Sequence, residues 1–253
     1  KIVGSATNIL FLDCVKYSII VSTSLLNNVV YSGDFFTVET GKSLVSLVSE
    51  LAMFSYTGFE GLEGIPGTLG GAVVMNAGAY GYEVSDNLVS VICLDDTGNI
   101  VELSKEDCFF SERNSCFKNN DFTVLSAKFK INKSKPKEIE KKMRTFHYSR
   151  HLYQEFVYPN LGSIYAIPKS SVYDAVFKQN KSLYLIYRIL HRVYFSRLFS
   201  LYRRRDPNNK LFNKLLLNNY DLSSHVNIFS DKTMNTFANK NVSSYELISY
   251  IVD

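Results

Sequence analysis

The chain contains 253 residues, enough for two ordinary domains with sizeable hydrophobic cores. Charged residues make up 21% and the net charge is +4, a mildly basic balance that suits an anionic ligand without demanding a nucleic acid. There is no membrane-length apolar run and no visible signal peptide, so we expect a cytoplasmic protein. The four cysteines lack CxxC spacing and are predicted to be free thiols.

The chain starts at Lys1 inside an apparent strand, so we expect it to be an internal piece of a longer protein. Residues 1–12 predict a strand, a turn at Gly4–Asn8 and a second apolar strand. For this turn, taken by itself, an ordinary hairpin is the simpler interpretation. Residues 17–40 predict two or three strands, and residues 43–54 show the apolar period of a helix.

Residues 58–81, GFEGLEGIPGTLGGAVVMNAGAYG, hold eight of the thirteen glycines. Ordered glycine costs backbone entropy, so this density requires a physical reason. Close approach of the backbone to a ligand is one, because successive N–H groups can surround phosphate oxygens. The alternative is a glycine-rich turn without a ligand. The spacing matches neither the dinucleotide-binding GxGxxG motif nor the Walker A loop.

Strands are predicted again at 88–94, 100–103 and 123–131, followed by a helix over about 137–153, near whose end we expect a domain boundary. His147 and His151 on this helix have no third ligand nearby, so we assign no metal.

Residues 170–220 carry apolar residues at rough helical spacing (Ile186, Ile189, Leu190, Val193, Leu198 and Leu201) with interleaved arginines. We favour a core-packing helix with a basic outer face. A surface for a membrane or another protein is the next interpretation. Nucleic acid binding is the least favoured, because no recognised module accompanies the segment.

The glycine-rich stretch resembles the FAD loop of the UDP-N-acetylenolpyruvoylglucosamine reductase (MurB) family, which reads GxExxxGIPGTxGGAxxMNAGAYG. Further segments resemble family motifs: the turn at 4–8 (GxGSN), residues 111–118 (YRxSxFK), residues 150–168 (RxxxQPxxxPxxGSxFKNP) and residues 229–239 (vSxKHxNFxxN). The chain departs from these patterns at Glu112, Glu155, Ala166, Ile167 and Thr233.

The resemblance implies roles for individual residues. Cofactor-binding residues would be Gly4, Ser5, Thr7, Asn8, Gly64, Ile65, Pro66, Gly67, Thr68, Gly70, Gly71, Ala72, Asn76, Gly78 and Ala79. Ser163 would donate the proton to carbon 2 of the substrate, and Arg113 would stabilise the enolate that forms. Tyr80, Arg150 and Gln154 would bind the substrate, since a guanidinium suits a diphosphate or carboxylate.

The resemblance also implies the fold and the reaction. The fold would be α+β: a two-lobed FAD-binding domain of the MurB and vanillyl-alcohol-oxidase type, then a substrate-binding domain. Residues 1–33 would be the remnant of the first FAD lobe, 34–148 the second lobe and 149–253 the substrate domain, with the segment 170–220 as an atypical insert. The family's catalytic glutamate would follow Asp253.

The implied enzyme holds FAD, uses NADPH and reduces an enolpyruvyl UDP-sugar to UDP-N-acetylmuramate for the bacterial cell wall. Two alternatives stay open. One is a different FAD oxidoreductase on the same scaffold, suggested by Ala166 and Ile167. The other is a non-catalytic descendant that acts as a binding protein.

Overall fold

A computed structural model of the chain describes residues 1–119, 122–160, 162–163, 172–194, 196, 209–220, 228–230, 232–233, 235–240 and 243–244. The strands are β1 Ile2–Val3, β2 Val21–Ser22, β3 Val29–Ser32, β4 Phe35–Glu39, β5 Gly78–Ala79, β6 Tyr82–Glu83, β7 Leu88–Leu94, β8 Ile100–Ser104 and β9 Thr123–Lys130. The α-helices are α1 Leu44–Met53, α2 Leu69–Val74, α3 Pro136–Tyr153, α4 Val172–Phe177, α5 Lys181–Tyr194 and α6 Lys210–Asn219. Helices and antiparallel strands together confirm the predicted α+β class.

The chain forms two compact units. The first comprises Lys1–Thr7 and Lys16–Tyr148, and the second comprises Asn8–Val15 and Ser149–Asp253. Among the described residues, no helix is long and apolar enough to cross a membrane.

The first unit is built on a five-stranded antiparallel sheet with the order β3-β4-β9-β7-β8. Alternate residues of β4 are buried, as expected for a strand with one face on the core. Phe36 lies opposite Phe129 on β9, and the two rings stack with centroids 5.3 Å apart. The strands predicted at 88–94, 100–103 and 123–131 are confirmed, with ends that differ by at most one residue.

Helix α1 packs its apolar stripe into the same core. Leu44, Leu47, Val48 and Leu51 are buried at the i, i+3, i+4 spacing that the sequence predicts. The helix begins after Ser43, whose hydroxyl accepts a hydrogen bond from the backbone N–H of Ser46.

The cysteines of the described chain are free, as predicted. Cys93 on β7 and Cys108 are fully buried in the core of the first unit, whereas Cys14 is exposed. Burial is the main cause that raises the pKa of Cys93 to about 11 and the pKa of Cys108 to about 12.

The second unit contains a separate core made largely of aromatic rings on α4, α5 and α6. Its buried members are Tyr173, Phe177, Tyr187, Phe212, Leu216 and Leu217. The predicted helix in the insert exists as α5, and Leu190 packs against this core. The prediction was wrong for Ile186, Ile189 and Val193, which are exposed because tyrosines occupy the core side of α5. Leu198 and Leu201 lie outside the described residues.

Candidate functional site

The turn at 4–7 and the loop at 64–68 lie against each other in the first unit. The Thr7 hydroxyl donates a hydrogen bond to the Pro66 carbonyl at 3.2 Å. A Cβ atom on Gly4 would lie 2.2 Å from Thr68 Oγ1, and one on Gly67 would lie 2.9 Å from Thr7 Oγ1. The two stretches predicted to bind the cofactor are therefore brought together, and the contact leaves no room for side chains at either glycine.

The backbone of these stretches is suited to an anion. Within the described residues, the N–H groups of Ser5, Ala6, Thr7, Gly67 and Thr68 donate no hydrogen bond to the protein. Ala6 and Gly67 have positive φ angles of 54° and 126°. When right-handed and left-handed backbone conformations alternate, successive N–H groups point into a common concavity that can bind phosphate. These donors fit a dinucleotide pyrophosphate such as that of FAD.

The next predicted residues lie in helix α2. Thr68 caps this helix, with its hydroxyl accepting a hydrogen bond from the Gly71 N–H at 3.5 Å. Gly70 donates its N–H to the Thr40 carbonyl at 2.8 Å, and a Cβ on Gly70 would lie 1.8 Å from Thr40 Oγ1. Close packing on Thr40 therefore explains this glycine, and sequence reasoning missed Thr40 because it is 30 positions away.

Asn76 is buried and holds the loop together. Its amide nitrogen donates to Glu83 Oε2 at 2.8 Å and to the Ser111 carbonyl at 3.1 Å, and its amide oxygen accepts from the Ser85 N–H. Gly78 and Ala79 form the first strand of the adjacent hairpin. Because the side chain of Asn76 is fully engaged within the protein, it supports the site as a structural residue, and its cofactor contact stays a prediction.

Arg113 is held against the same hairpin. Its guanidinium Nη2 donates to the Gly78 carbonyl at 2.7 Å, and its backbone has a positive φ of 54°. The loop around it is anchored by buried Ser115, whose hydroxyl donates to the Val74 carbonyl at 2.7 Å. An exposed guanidinium with one nitrogen fixed by the backbone can offer its other donors to a carboxylate or an enolate.

Tyr80 follows at the hairpin turn with a φ of 55°. Its ring stacks on Phe146 of α3, with centroids 4.7 Å apart and planes 11° apart, and the side chain stays exposed. The ring is exposed, has a fixed orientation and belongs to the same hairpin as Gly78, which holds Arg113. It is therefore suited to a substrate contact.

Glu60 supports the start of the glycine-rich stretch, a role that the sequence analysis did not assign. It is buried and accepts hydrogen bonds from Thr57 Oγ1 at 2.6 Å and from the Gly58 N–H at 2.7 Å. Lys142 lies 3.6 Å from its carboxylate. Burial would raise the pKa of Glu60, but these hydrogen bonds and the Lys142 charge together lower it.

The second unit holds the other predicted residues. Arg150 is buried near the end of α3, and its Nη1 donates to Gln154 Oε1 at 3.2 Å. Ser163 is exposed and follows Gly162, which has a φ of 75°. Asn8 also belongs to this unit. Tyr165, Ala166 and Ile167 lie outside the described residues.

Glu155, which stands where the family pattern has proline, is buried in the second unit. Its carboxylate accepts hydrogen bonds from Ser230 Oγ at 2.7 Å and from the Val157 N–H at 2.7 Å. Asn213 of the insert donates to the Ser230 carbonyl at 2.8 Å. Burial would raise the pKa of Glu155, but the bonds from Ser230 and from backbone N–H groups lower it overall.

The two predicted helix histidines make separate contacts. His147 Nδ1 lies 2.9 Å from Glu63 Oε1, and His151 stacks on Phe156. No group of three potential ligands for a metal ion occurs within the described ranges.

Comparison with known proteins identifies relatives of the chain. Residues 1–104 match the family model of an FAD binding domain. The chain is 38% identical over 172 residues to the UDP-N-acetylenolpyruvoylglucosamine reductase of Caldanaerobacter subterraneus subsp. tengcongensis, covering 66% of this chain and 55% of the relative. The same enzyme of Clostridium novyi is 38% identical over 169 residues, with the same coverage. The chain thus spans about half the length of the curated relatives it matches.

Among solved structures, the fold is similar to the UDP-N-acetylenolpyruvylglucosamine reductase (MurB) from Thermus caldophilus. The TM-score is 0.60 at 26% identity, and the match covers 72% of this chain and 66% of that one. The fold is therefore a MurB-type FAD-binding architecture, as predicted. Taken with the glycine-rich loop and the Arg113 segment, these matches show that about two thirds of the chain is similar to UDP-N-acetylenolpyruvoylglucosamine reductases (MurB) and includes an FAD-binding domain.

Proposed function

We propose that the chain belongs to a cytoplasmic reductase that uses NADPH to convert UDP-N-acetylglucosamine enolpyruvate into UDP-N-acetylmuramate for peptidoglycan. The observation that carries this proposal is the contact between the turn at 4–7 and the loop at 64–68, within the segment that matches an FAD-binding domain. Bound FAD would supply a hydride, received from NADPH, to carbon 3 of the enolpyruvyl group.

The residues of the chain have distinct proposed roles. The free N–H groups of the two stretches bind the pyrophosphate. Arg113 donates to the substrate oxygens on which negative charge develops, with the Gly78 carbonyl fixing its orientation. Ser163 transfers its hydroxyl proton to carbon 2. Tyr80, Arg150 and Gln154 position the substrate. Residues 1–33 and 34–148 form the two flavin lobes, and 149–253 the substrate domain.

The proposal is tested by anaerobic flavin absorbance of the protein reduced with NADPH and then mixed with the enolpyruvyl UDP-sugar. We expect bleaching followed by rapid recovery. Bleaching without recovery on this substrate would favour another FAD oxidoreductase. Folded protein without a flavin spectrum would favour the non-catalytic binding protein.

Ser163→Ala should leave reduction by NADPH unchanged and slow the substrate half-reaction by about 10²–10⁴-fold, the usual range for a lost proton donor. Stopped-flow absorbance measures both half-reactions. Ser182→Ala, which removes an exposed hydroxyl from α5, is the matched control. Unchanged reoxidation in Ser163→Ala would remove this residue from the mechanism.

Arg113→Ala should slow the same half-reaction by about 10²–10³-fold, because it removes a donor to the developing enolate. Arg144→Ala is the control, since Arg144 is exposed on α3 and pairs with Glu140 of the same helix. Equal rates in the two variants would contradict the role of Arg113.

A further inference from the structure

Helix α5 exposes an apolar stripe that the reductase function does not use. Its core side carries buried Tyr187, with Leu183, Leu190 and Tyr194 packed nearby. On the outer side, Leu185, Ile186, Ile189 and Val193 are 62%, 50%, 56% and 53% exposed. Large aliphatic side chains grouped in this way on a helix that is already packed on one side indicate a surface that meets a partner.

A basic stripe runs beside the apolar one. Lys181, Arg188 and Arg192 are exposed along the helix, and they line an open depression of about 520 Å³ together with Leu185 and Ile189. The Arg188 guanidinium is steadied by the Tyr184 hydroxyl, which lies 3.2 Å from its Nη1. The sequence contains no Asp or Glu between Asp174 and Asp206. Asp174 on α4 is close enough for its charge to act on Arg188, which leaves the three basic side chains in excess over one carboxylate.

We propose that this face of α5, defined by Lys181, Leu185, Ile186, Arg188, Ile189, Arg192 and Val193, binds the surface of an anionic lipid bilayer. The helix is about 21 Å long and would lie in the plane of the interface. The aliphatic side chains enter the boundary between headgroups and acyl chains, while the long basic side chains stay at the lipid phosphates.

Charge and apolarity together favour lipid over other partners. A nucleic acid would pair with the basic stripe but leave four aliphatic side chains in water. A second copy of the chain would bring an identical basic stripe to the interface and place like charges together. An anionic bilayer offers both an apolar layer and phosphates along the whole length of the helix.

Vesicle co-sedimentation of the full 253-residue chain tests the proposal. We expect binding to vesicles of equal parts phosphatidylglycerol and phosphatidylcholine, weaker binding at high salt, and none to pure phosphatidylcholine. Ile189→Ser should weaken the partition coefficient about tenfold, and Arg192→Gln about fivefold. The matched controls are Ile100→Ser on β8 and Arg144→Gln on α3, both at exposed positions in the first unit.

Equal binding to both kinds of vesicle, or equal losses in the test and control variants, would overturn the proposal. So would concentration-dependent dimers that Ile189→Ser abolishes, since these would place a second copy on the face. Binding to RNA under salt conditions that prevent vesicle binding would assign the basic stripe to a nucleic acid and would also overturn it.

A second readout reports the environment of the helix face itself. The chain contains no tryptophan, so Ile189→Trp provides a single indole on the proposed surface. We expect emission typical of an exposed indole in buffer and a blue shift on anionic vesicles, with no shift for Ile100→Trp. Emission from Ile189→Trp that is already blue-shifted in buffer would mean that the chain covers its own surface, which would overturn the proposal.

Discussion

The two units build their candidate sites from different materials. In the first unit, the proposed pyrophosphate site consists of backbone N–H groups and closely packed glycines, and the side chains of Asn76 and Ser115 support the surrounding loops. In the second unit, buried side chains dominate: Glu155 accepts from Ser230, and Asn213 donates to the carbonyl of the same serine. Added side-chain volume should therefore destabilise the first unit, whereas a change in charge, and hence in pH, should destabilise the second.

The largest effect should come from the aromatic core on which the second arrangement depends. Phe212→Ala removes a fully buried ring, which typically costs about 3–5 kcal/mol of unfolding free energy. The neighbouring Leu211→Ala is the matched control, because Leu211 is largely exposed and should cost well under about 1 kcal/mol. Urea unfolding followed by circular dichroism measures both. Equal costs would mean that the second unit is not organised around this cluster.

In the first unit, an added methyl group should cause a smaller loss of stability. Gly70→Ala places a Cβ against Thr40 and should lower stability by about 1–3 kcal/mol. Gly71→Ala is one position further along the same helix and meets only Thr68 Oγ1 at 3.7 Å. Because alanine favours helix, Gly71→Ala should be neutral or stabilising by up to about 1 kcal/mol. Thermal unfolding of the two proteins compares them, and similar losses would refute the steric argument.

The charge of Glu155 should matter only where it is ionised. Its pKa is lower in the folded protein than its ordinary value of 4.5, so the carboxylate stabilises the fold above that pH. That contribution is lost as the pH falls from about 4.5 through the folded-state pKa. Glu155→Gln should therefore cost about 1.5–3 kcal/mol at pH 7, the range for hydrogen bonds to charged groups, and progressively less as the pH falls below about 4.5.

The control for this pH dependence is Glu112→Gln, which alters an exposed carboxylate in the first unit. Its effect on urea unfolding should be small at every pH. If Glu155→Gln lowers the free energy of unfolding by the same amount at every pH, the contribution of Glu155 depends on its packing and not on its ionisation.

Local signals in the sequence predicted much of the first unit. Strand alternation and the stripe of α1 depend on neighbours within a few positions, so their periods identify the elements directly. The partners that complete the site are distant: Gly70 packs on Thr40, and Asn76 donates to the Ser111 carbonyl. Such contacts follow from the fold and cannot be deduced from spacing.

In the insert, the local period predicts the helix correctly but the wrong buried face. Helical spacing predicts that its aliphatic residues lie in the core, but Tyr187 is the residue of α5 that is buried. Two apolar stripes compete on this helix, and the period alone cannot tell which one faces inward. Aromatic partners on α4 and α6 determine which stripe is buried, because their rings pack against Tyr187. The hydrogen bond of Glu155 with Ser230 is equally hard to predict from spacing, since the two residues are 75 positions apart.

The placement of the thiols makes opening of the first unit measurable without any substitution. The thiolate is the form of cysteine that attacks an alkylating reagent, so exposed Cys14 should be modified first and provide the reference rate. Cys93 and Cys108 are sealed in the sheet core with raised pKa values and should react only from molecules that have opened there. The labelling rate of the buried thiols, divided by the rate of an unfolded thiol, then gives the fraction of time that the core is open. A ligand that binds the folded unit lowers this fraction, so its binding can be detected as slower labelling.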